Sequence, residues 1–337
     1  MVMEPPTPGG NSGASVARGA SERAPIGSAS EGAASGNANV VTAGAAYIGG
    51  KIVPISEAVI PILDLGFLHS DATYDVAHVW RGRFFRLGDH LDRFERGMKK
   101  LRMSLPIDRE EIRRILHDCV RASGLANAYV EMICTRGMAA PGSRDPRDCV
   151  NQFYAFAVPF AWIATPEQQE QGLSVHVSRV QRIAPESVDP TVKNYHWLDL
   201  VQGLFDAYDH DAETALLSDA DGNVVEGPGF NVFAVTAGAL VTPKAGVLKG
   251  VTRKTALEIG AELGAELDLP VEERALSYDE LVEANEVFVT STAGGIMPVC
   301  AIDGRPVGAG VPGPVTEEIK SRYWLMHDDP WYFEQVD

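Results

Sequence analysis

Cysteine is scarce in this chain, and basic residues are outnumbered. Its 337 residues include four cysteines, Cys119, Cys134, Cys149 and Cys300, without CxxC spacing and among mostly apolar neighbours. That excludes a disulfide framework; the cysteines are read as reduced core thiols, and no metal site is assigned. Twenty-nine Lys and Arg stand against 46 Asp and Glu, a net charge of -17 with an isoelectric point near 4.9. A surface of that sign repels phosphate backbones and anionic lipid, which argues against nucleic acid and membranes as partners. An anionic cofactor would need a local positive pocket. No apolar run approaches the length of a membrane span, and the N-terminus lacks the apolar stretch of a signal peptide, so the expected location is cytoplasmic. Large apolar side chains are also few in residues 1–42, rich in Gly, Ala, Ser and Pro, so this tail is expected to be disordered. Glu4, Glu22 and Glu31 against only Arg18 and Arg23 weigh against a transit peptide.

Beyond the tail, 45% hydrophobic and 22% charged residues suffice for one large or two ordinary globular domains. Ala46-Tyr47-Ile48, the turn Gly49-Gly50 and Ile52-Val53 predict an opening hairpin, and Thr73–Trp80 with Arg83–Leu87 a second one around Arg81-Gly82. A period of two places Tyr74, Val76, His78 and Trp80 on one face. Helical spacing follows, with Asp89 as N-cap of a stripe of Leu91, Phe94, Met98 and Leu101, and Asp108 opening a helix with Ile112, Ile115, Leu116 and Cys119. Strands are expected at 129–135 and 153–158, then at 173–180, 215–218, 230–235, 239–241 and 287–290, with helices at 252–263 and 314–324. The expected architecture is α/β (α+β), two domains of mixed sheet with helices packed on them: residues 43–165 and 166–337. No internal repeat supports a solenoid.

Four segments carry candidate chemistry. Lys193, in Asp189-Pro190-Thr191-Val192-Lys193-Asn194-Tyr195, has Tyr195, His196 and Trp197 close behind. Such bulk desolvates an amine and frees it as a nucleophile, although a lone lysine is usually a solvated surface residue. Glu226 lies between a strand and the turn Gly227-Pro228-Gly229, where a carboxylate can hold a proton on a pyridine nitrogen or simply be a solvated turn residue. Leu248-Lys249-Gly250-Val251-Thr252 enters a helix whose first N–H groups suit a phosphate. Ser291-Thr292-Ala293-Gly294-Gly295 offers hydroxyls and open backbone to a similar ligand. An ordinary capped helix start and a small-residue loop are the alternatives for these two.

In this order, with Phe84-Phe85-Arg86-Leu87-Gly88-Asp89-His90 upstream, the segments resemble fold type IV pyridoxal-phosphate enzymes over roughly Ala46 to Trp324. The resemblance implies a cofactor, pyridoxal 5'-phosphate, at the domain junction, with Lys193 binding it covalently and acting as the catalytic base. It implies that Arg86 clamps the phosphate, Glu226 pairs with the pyridine nitrogen, Val251, Thr252 and Thr292 complete the phosphate cup, and Leu248 packs on the ring. Phe230 and Asn231, beside Glu226, are counted with the cofactor set. Pro228 stands where related sequences often carry serine, and Lys249 where proline is common.

Within that class the segments His69–Val76, Val188–Asn194, Gly250–Thr255 and Thr292–Pro298 look most like (R)-selective amine transaminases. Such a resemblance implies a homodimer moving an amino group from an (R)-amine or D-amino acid to a keto acid such as pyruvate, by a ping-pong reaction. The substrate pocket would be lined by His69, Tyr74, Val76, Tyr129, Glu131 and Trp197. One pocket must then take an uncharged group and a carboxylate in turn. Arg144, on the small-residue loop after the strand 129–135, is the expected mobile cation, with Arg136 and Arg147 as substitutes. Rival readings are a branched-chain or D-amino-acid aminotransferase, a lyase of the aminodeoxychorismate type, and a cofactor-binding protein without turnover.

Overall fold

The computed structural model describes residues 43–336, so the tail expected to be disordered lies outside the described residues. Strands β1 (Ala45–Ile48) and β2 (Lys51–Pro54) form the opening hairpin, followed by the short helix α1 (Leu65–His69). Next come β3 (Ala72–Trp80), β4 (Arg83–Phe85), helices α2 (Leu87–Lys100) and α3 (Arg109–Ser123), then β5 (Ala128–Thr135) and β6 (Gln152–Pro159). Arg81 and Gly82 both take positive φ (51° and 75°), the geometry a tight two-residue hairpin needs.

Asp108 caps α3 as expected, its carboxylate accepting the Glu111 N–H at 2.9 Å. Asp89 does not cap α2. That helix starts at Leu87 behind Arg86, whose left-handed φ of 51° turns the chain, and Asp89 lies in the first turn. The helices bury Leu91, Phe94, Ile112, Ile115, Leu116 and Cys119 against Val79, Val130 and Met132 of the sheet. Each large side chain withdrawn in this way contributes about 1.5–3 kcal/mol.

The second half contains α4 (Pro166–Gln171), β7 (Leu173–Gln181), α5 (Leu198–Asp209), β8 (Thr214–Ser218), β9 (Val224–Gly227), β10 (Phe230–Thr236) and β11 (Ala239–Thr242). It continues with α6 (Val251–Leu267), β12 (Val271–Glu273), α7 (Tyr278–Val282), β13 (Glu286–Ser291), β14 (Gly295–Ile302), β15 (Arg305–Pro306), α8 (Pro314–Leu325) and β16 (Phe333–Gln335). The first sheet is antiparallel throughout, in the order β16-β4-β3-β5-β6-β1-β2, so the last strand of the chain returns to it. The second runs β12-β11-β10-β13-β14-β7-β8-β9, with parallel pairs at β7–β8, β7–β14 and β11–β12. Because β9 also pairs with β10, six of its strands close on themselves. No helix among the described residues is long and apolar enough to cross a membrane, and all four cysteines are free.

Candidate active site

Lys193 lies in the connection from β7 to α5 and is pinned to β3. Its carbonyl accepts the Tyr74 N–H at 3.0 Å and the Thr73 hydroxyl at 2.9 Å. The amine lies 4.5 Å from the centre of the Tyr74 ring, which stacks on Tyr195 at 4.3 Å. Loss of hydration is the largest influence on the ammonium and the Arg93 cation adds to it, while Asp75, Glu131 and Glu226 oppose both. The balance brings the amine down to about 8.

Glu226 is buried near the end of β9, opposite Asn231 of β10. One carboxylate oxygen accepts from Arg182 Nε at 3.1 Å and the other from the Leu248 N–H at 2.9 Å. Burial pushes the carboxyl up, and the Arg182 cation is the strongest counterweight. Arg182 also donates to Asp199 at 2.6 Å, which ties the acid to the first turn of α5. Arg182 and Asp199 were not singled out from sequence, where nothing marks a contact between positions 44 apart in the chain.

The loop before α6 is laced to the same acid. Asn231 donates to the Leu248 carbonyl at 2.9 Å, and a Cβ on Gly250 would stand only 2.4 Å from Asn231 Oδ1. Phe230 is buried beside Asn231. Helix α6 then starts at Val251 without a side-chain cap, and the backbone N–H groups of Val251 and Thr252 bond no described carbonyl outside the helix. Thr292 sits half-buried in the β13–β14 turn, two residues from Thr290, whose buried hydroxyl has no hydrogen-bond partner. Lys249, the departure noted beside this cup, turns its amine to the Lys244 carbonyl at 2.5 Å. Pro228 and Gly229 (φ 85°) are the two central residues of the β9–β10 turn, where proline's fixed φ followed by a positive-φ glycine suits a type II turn.

Arg86 is taken up by neighbours of its own. Its guanidinium donates to Asp89 (2.6 Å), Thr255 (2.7 Å) and Glu258 (2.6 and 3.1 Å), and Arg93 is the arginine that acts on Lys193. Arg93 lies seven residues, two helical turns, further along α2. It grips buried Asp75 through Nε (2.7 Å) and Nη2 (2.8 Å) and reaches the Lys249 carbonyl with Nη1 at 3.2 Å, next to the start of α6. Burial alone would raise the Asp75 carboxyl, but Arg93 and His90 outweigh it and hold the group well below the usual carboxylate range. The signal was present: Arg93 falls within the buried stripe of α2, between Leu91 and Phe94.

Of the residues expected to line a substrate pocket, the structure brings Tyr74, Tyr129, Glu131 and Trp197 into one network. Glu131 is buried and accepts the Tyr195 hydroxyl at 2.5 Å, with Tyr129 close to it and Trp197 close to Tyr74. Val76 pairs with Glu131 in the β3–β5 register. His69 is exposed at the end of α1, its side chain making no hydrogen bond, ion pair or ring contact to a described residue. Arg136 is locked by Asp71 (2.8 and 3.0 Å) and the Leu101 carbonyl, and exposed Arg147 is paired with Asp145. Arg144 is exposed and unpaired among the described residues. Two evident cavities, of about 410 and 580 Å³, lie over Arg86 and along the Lys244–Glu258 surface, and neither is lined by Lys193, Glu131 or Glu226.

The donor set fits a phosphorylated pyridine aldehyde. It offers an amine easily made neutral, a buried carboxylate beside a cation, a helix start with free N–H groups and a glycine approach that admits no Cβ. Residues 72–302 match the family described as amino-transferase class IV. The chain is 33% identical over 244 residues to the branched-chain-amino-acid aminotransferase of Pseudomonas aeruginosa, covering 71% of this chain and 77% of that one. It is 28% identical over 274 residues to the D-alanine aminotransferase of Bacillus licheniformis, covering 81% and 93%. The crystal structure of the branched-chain amino acid aminotransferase from Thermobaculum terrenum, in its PLP form, superposes with a TM-score of 0.77 at 25% identity, covering 88% of this chain and all of that one.

Proposed function

Given that this chain belongs to the amino-transferase class IV family and takes pyridoxal phosphate as its cofactor, we propose that it moves an amino group from an (R)-amine to a keto acid such as pyruvate. One observation carries this reading: the wall beside Lys193 is aromatic and acidic, with no unpaired cation among the described residues. Tyr74, Tyr195 and Tyr129 surround Glu131, while Arg93 and Arg182 are each held by buried carboxylates. A donor carboxylate placed there gains no ion pair and meets Glu131; an aryl or alkyl group meets ring faces. The acceptor's carboxylate is taken by Arg144, the one of three candidate arginines that no described carboxylate already holds.

Pyridoxal phosphate, when bound, supplies an aldehyde carbon that exchanges amino groups and a ring that accepts electron density as a proton leaves the substrate. In this reading Lys193 would hold the cofactor. Its amine, brought down to about 8, would move a proton from the donor's amine-bearing carbon to the cofactor in the first half-reaction and from the cofactor to the acceptor's carbon in the second. Glu226 would hold a proton at the pyridine nitrogen, with the Arg182 cation favouring the carboxylate. Arg93 and the N–H groups of Val251 and Thr252, with Thr292, would hold the phosphate.

The names of the relatives favour a second reading, a branched-chain or D-amino-acid aminotransferase. Incubation of the holoenzyme with pyruvate and (R)-1-phenylethylamine separates the two. Acetophenone and alanine are expected; turnover confined to L-leucine with 2-oxoglutarate, or to D-alanine, rejects the amine reading, and pyruvate from aminodeoxychorismate points to the lyase.

The exposed face of α5, with Leu198, Val201, Phe205 and Tyr208 at helical spacing, and exposed Val59, Ile62, Leu63 and Phe67 support a homodimer. Light scattering tests it. The two sheets support the two-domain division near residue 165, with β16 given back to the first.

A further inference from the structure

Away from Lys193, the C-terminal end of α5 meets β7. Asp206 and His210, one turn apart on the helix, face His176 on the strand, and each of the three offers a ligand atom within 4.8 Å of the others. We propose that His176, Asp206 and His210 bind one divalent transition-metal ion of the zinc class. Two imidazoles and a carboxylate are a donor set suited to that ion, and a fourth position remains open to water.

Three features go beyond the cluster itself. First, Asp206 is only 6% exposed, and its two oxygens are treated differently. Oδ2 accepts the Ser178 hydroxyl at 2.7 Å and the Arg179 N–H at 3.2 Å, whereas buried Oδ1 accepts no hydrogen bond. Its nearest cation is the Arg179 guanidinium at 3.3 Å, on a side chain 85% exposed to water. A buried carboxylate oxygen left without a donor calls for a cation.

Second, His176 is oriented from behind. Its Nδ1 is 2.6 Å from Asp303 Oδ1, and Asp303 is itself fixed by the Val177 N–H at 3.0 Å and the Tyr278 hydroxyl at 2.9 Å. A carboxylate on one ring nitrogen sets the tautomer and leaves the other, Nε2, as a lone-pair donor. That Nε2 faces the Asp206 carboxylate, with Oδ2 at 3.5 Å. Ligand atoms about 2.0–2.2 Å from a tetrahedral zinc stand roughly 3.3–3.6 Å apart, so a small turn of the carboxylate brings the unpaired Oδ1 onto the same ion.

Third, the remaining ligand can adjust. His210 stacks on His176 at 4.2 Å, and its side chain is 51% exposed; its Nδ1 donates to the Asp206 carbonyl at 2.7 Å, which leaves Nε2 as the lone-pair nitrogen. Ligation turns this ring out of the stack. None of the three residues serves the transamination described above, and the ion would fasten the far end of the helix whose first turn carries Asp199 and, through it, Arg182.

The test uses tag-free holoenzyme stripped with a chelator and titrated with zinc, read by elemental analysis after dialysis and by thermal unfolding. One zinc per chain and a raised unfolding midpoint are expected. His210→Ala should weaken binding by about tenfold or more, His210→Cys should retain it, and Arg179→Ala should tighten it by removing the competing cation. Asp303→Asn, which leaves all three ligands in place, should cost about 10–100-fold and serves if His210→Ala does not fold. Less than half an equivalent of zinc, or equal affinity in the parent, His210→Ala and Asp303→Asn proteins, overturns the site.

Discussion

Replacing Arg182 with methionine should turn the candidate site into one that works only at high pH. Arg182 Nε is 3.1 Å from Glu226, and its Nη1 is 2.6 Å from Asp199. Unit charges at 3.1 Å interact by roughly 5 kcal/mol at an effective dielectric of about 20. Because Asp199 shares the guanidinium, Glu226 loses part of that attraction on substitution, so its carboxyl, already pushed up by burial, should rise further and hold its proton to a higher pH than in the parent. Single-turnover amination of the cofactor by (R)-1-phenylethylamine, followed by absorbance, should then fall by about tenfold or more at pH 7 and recover toward the parent rate near pH 9. Stability should run the other way. A carboxyl whose folded pKa is raised contributes stability that is fully present below its unfolded pKa and is lost as pH climbs through the folded one. The variant therefore loses a further 1.4 kcal/mol, approximately, for each added unit on the alkaline side. A rate deficit of equal size at pH 6.5 and pH 9, or a variant that loses stability on acidification, refutes the reasoning.

Lys193→Ala should abolish transamination, and borohydride reduction of the parent holoenzyme should fix the cofactor on the peptide containing Lys193; label on Lys249 or Lys254 instead sinks the assignment. Arg93→Lys keeps the charge but loses the planar fork, and should weaken cofactor retention by an amount consistent with one charge-assisted contact, about 1.5–3 kcal/mol. Arg86→Ala should retain cofactor while lowering the unfolding midpoint, since its partners Asp89 and Glu258 lose their cation; the opposite pattern in dialysis against cofactor-free buffer restores Arg86 to the phosphate. Arg144→Ala should raise the apparent KM for pyruvate several-fold and leave the half-reaction with (R)-1-phenylethylamine nearly intact. If both half-reactions fall together, the acceptor carboxylate is bound elsewhere.

Elements with one apolar face were legible in the residues: α3, with Ile112, Ile115 and Leu116 inward, and the two hairpins, each with a glycine at its turn. Helix α5 was not foreseen. Leu200, Gly203 and Ala207 are buried while Leu198, Val201 and Phe205 face outward, so apolar residues on both sides leave no single stripe to detect. Strand β14 was hidden by Gly294-Gly295 at its entrance and Pro298 within it. The same limit applies to the site. The amine, the acid and the α6 cradle sit in distinctive local sequence, but choosing between Arg86 and Arg93 depends on Asp75, which faces α2 from the opposite side of β3 to Tyr74. A contact between elements leaves no mark in either element alone.

The closure of the second sheet bears on which parts of this enzyme can change length. The ring is completed by only two residue pairs, Phe230 with Gly227 and Asn231 with Glu226, across a turn of two residues. A slip of one position at this clasp would invert Glu226 to the other face and part it from Leu248 and Arg182 together. An insertion at Pro228 or Gly229 is therefore intolerable, and Gly229, with the Trp197 ring 3.5 Å from where its Cβ would stand, cannot absorb one by shifting outward. The segment from Met138 to Val150 has no such duty. It is largely exposed, joins neighbouring strands β5 and β6 from outside, and can be lengthened or shortened without disturbing the clasp. Selection for new acceptors should leave its record there, as loops of unequal length around an acid that does not move.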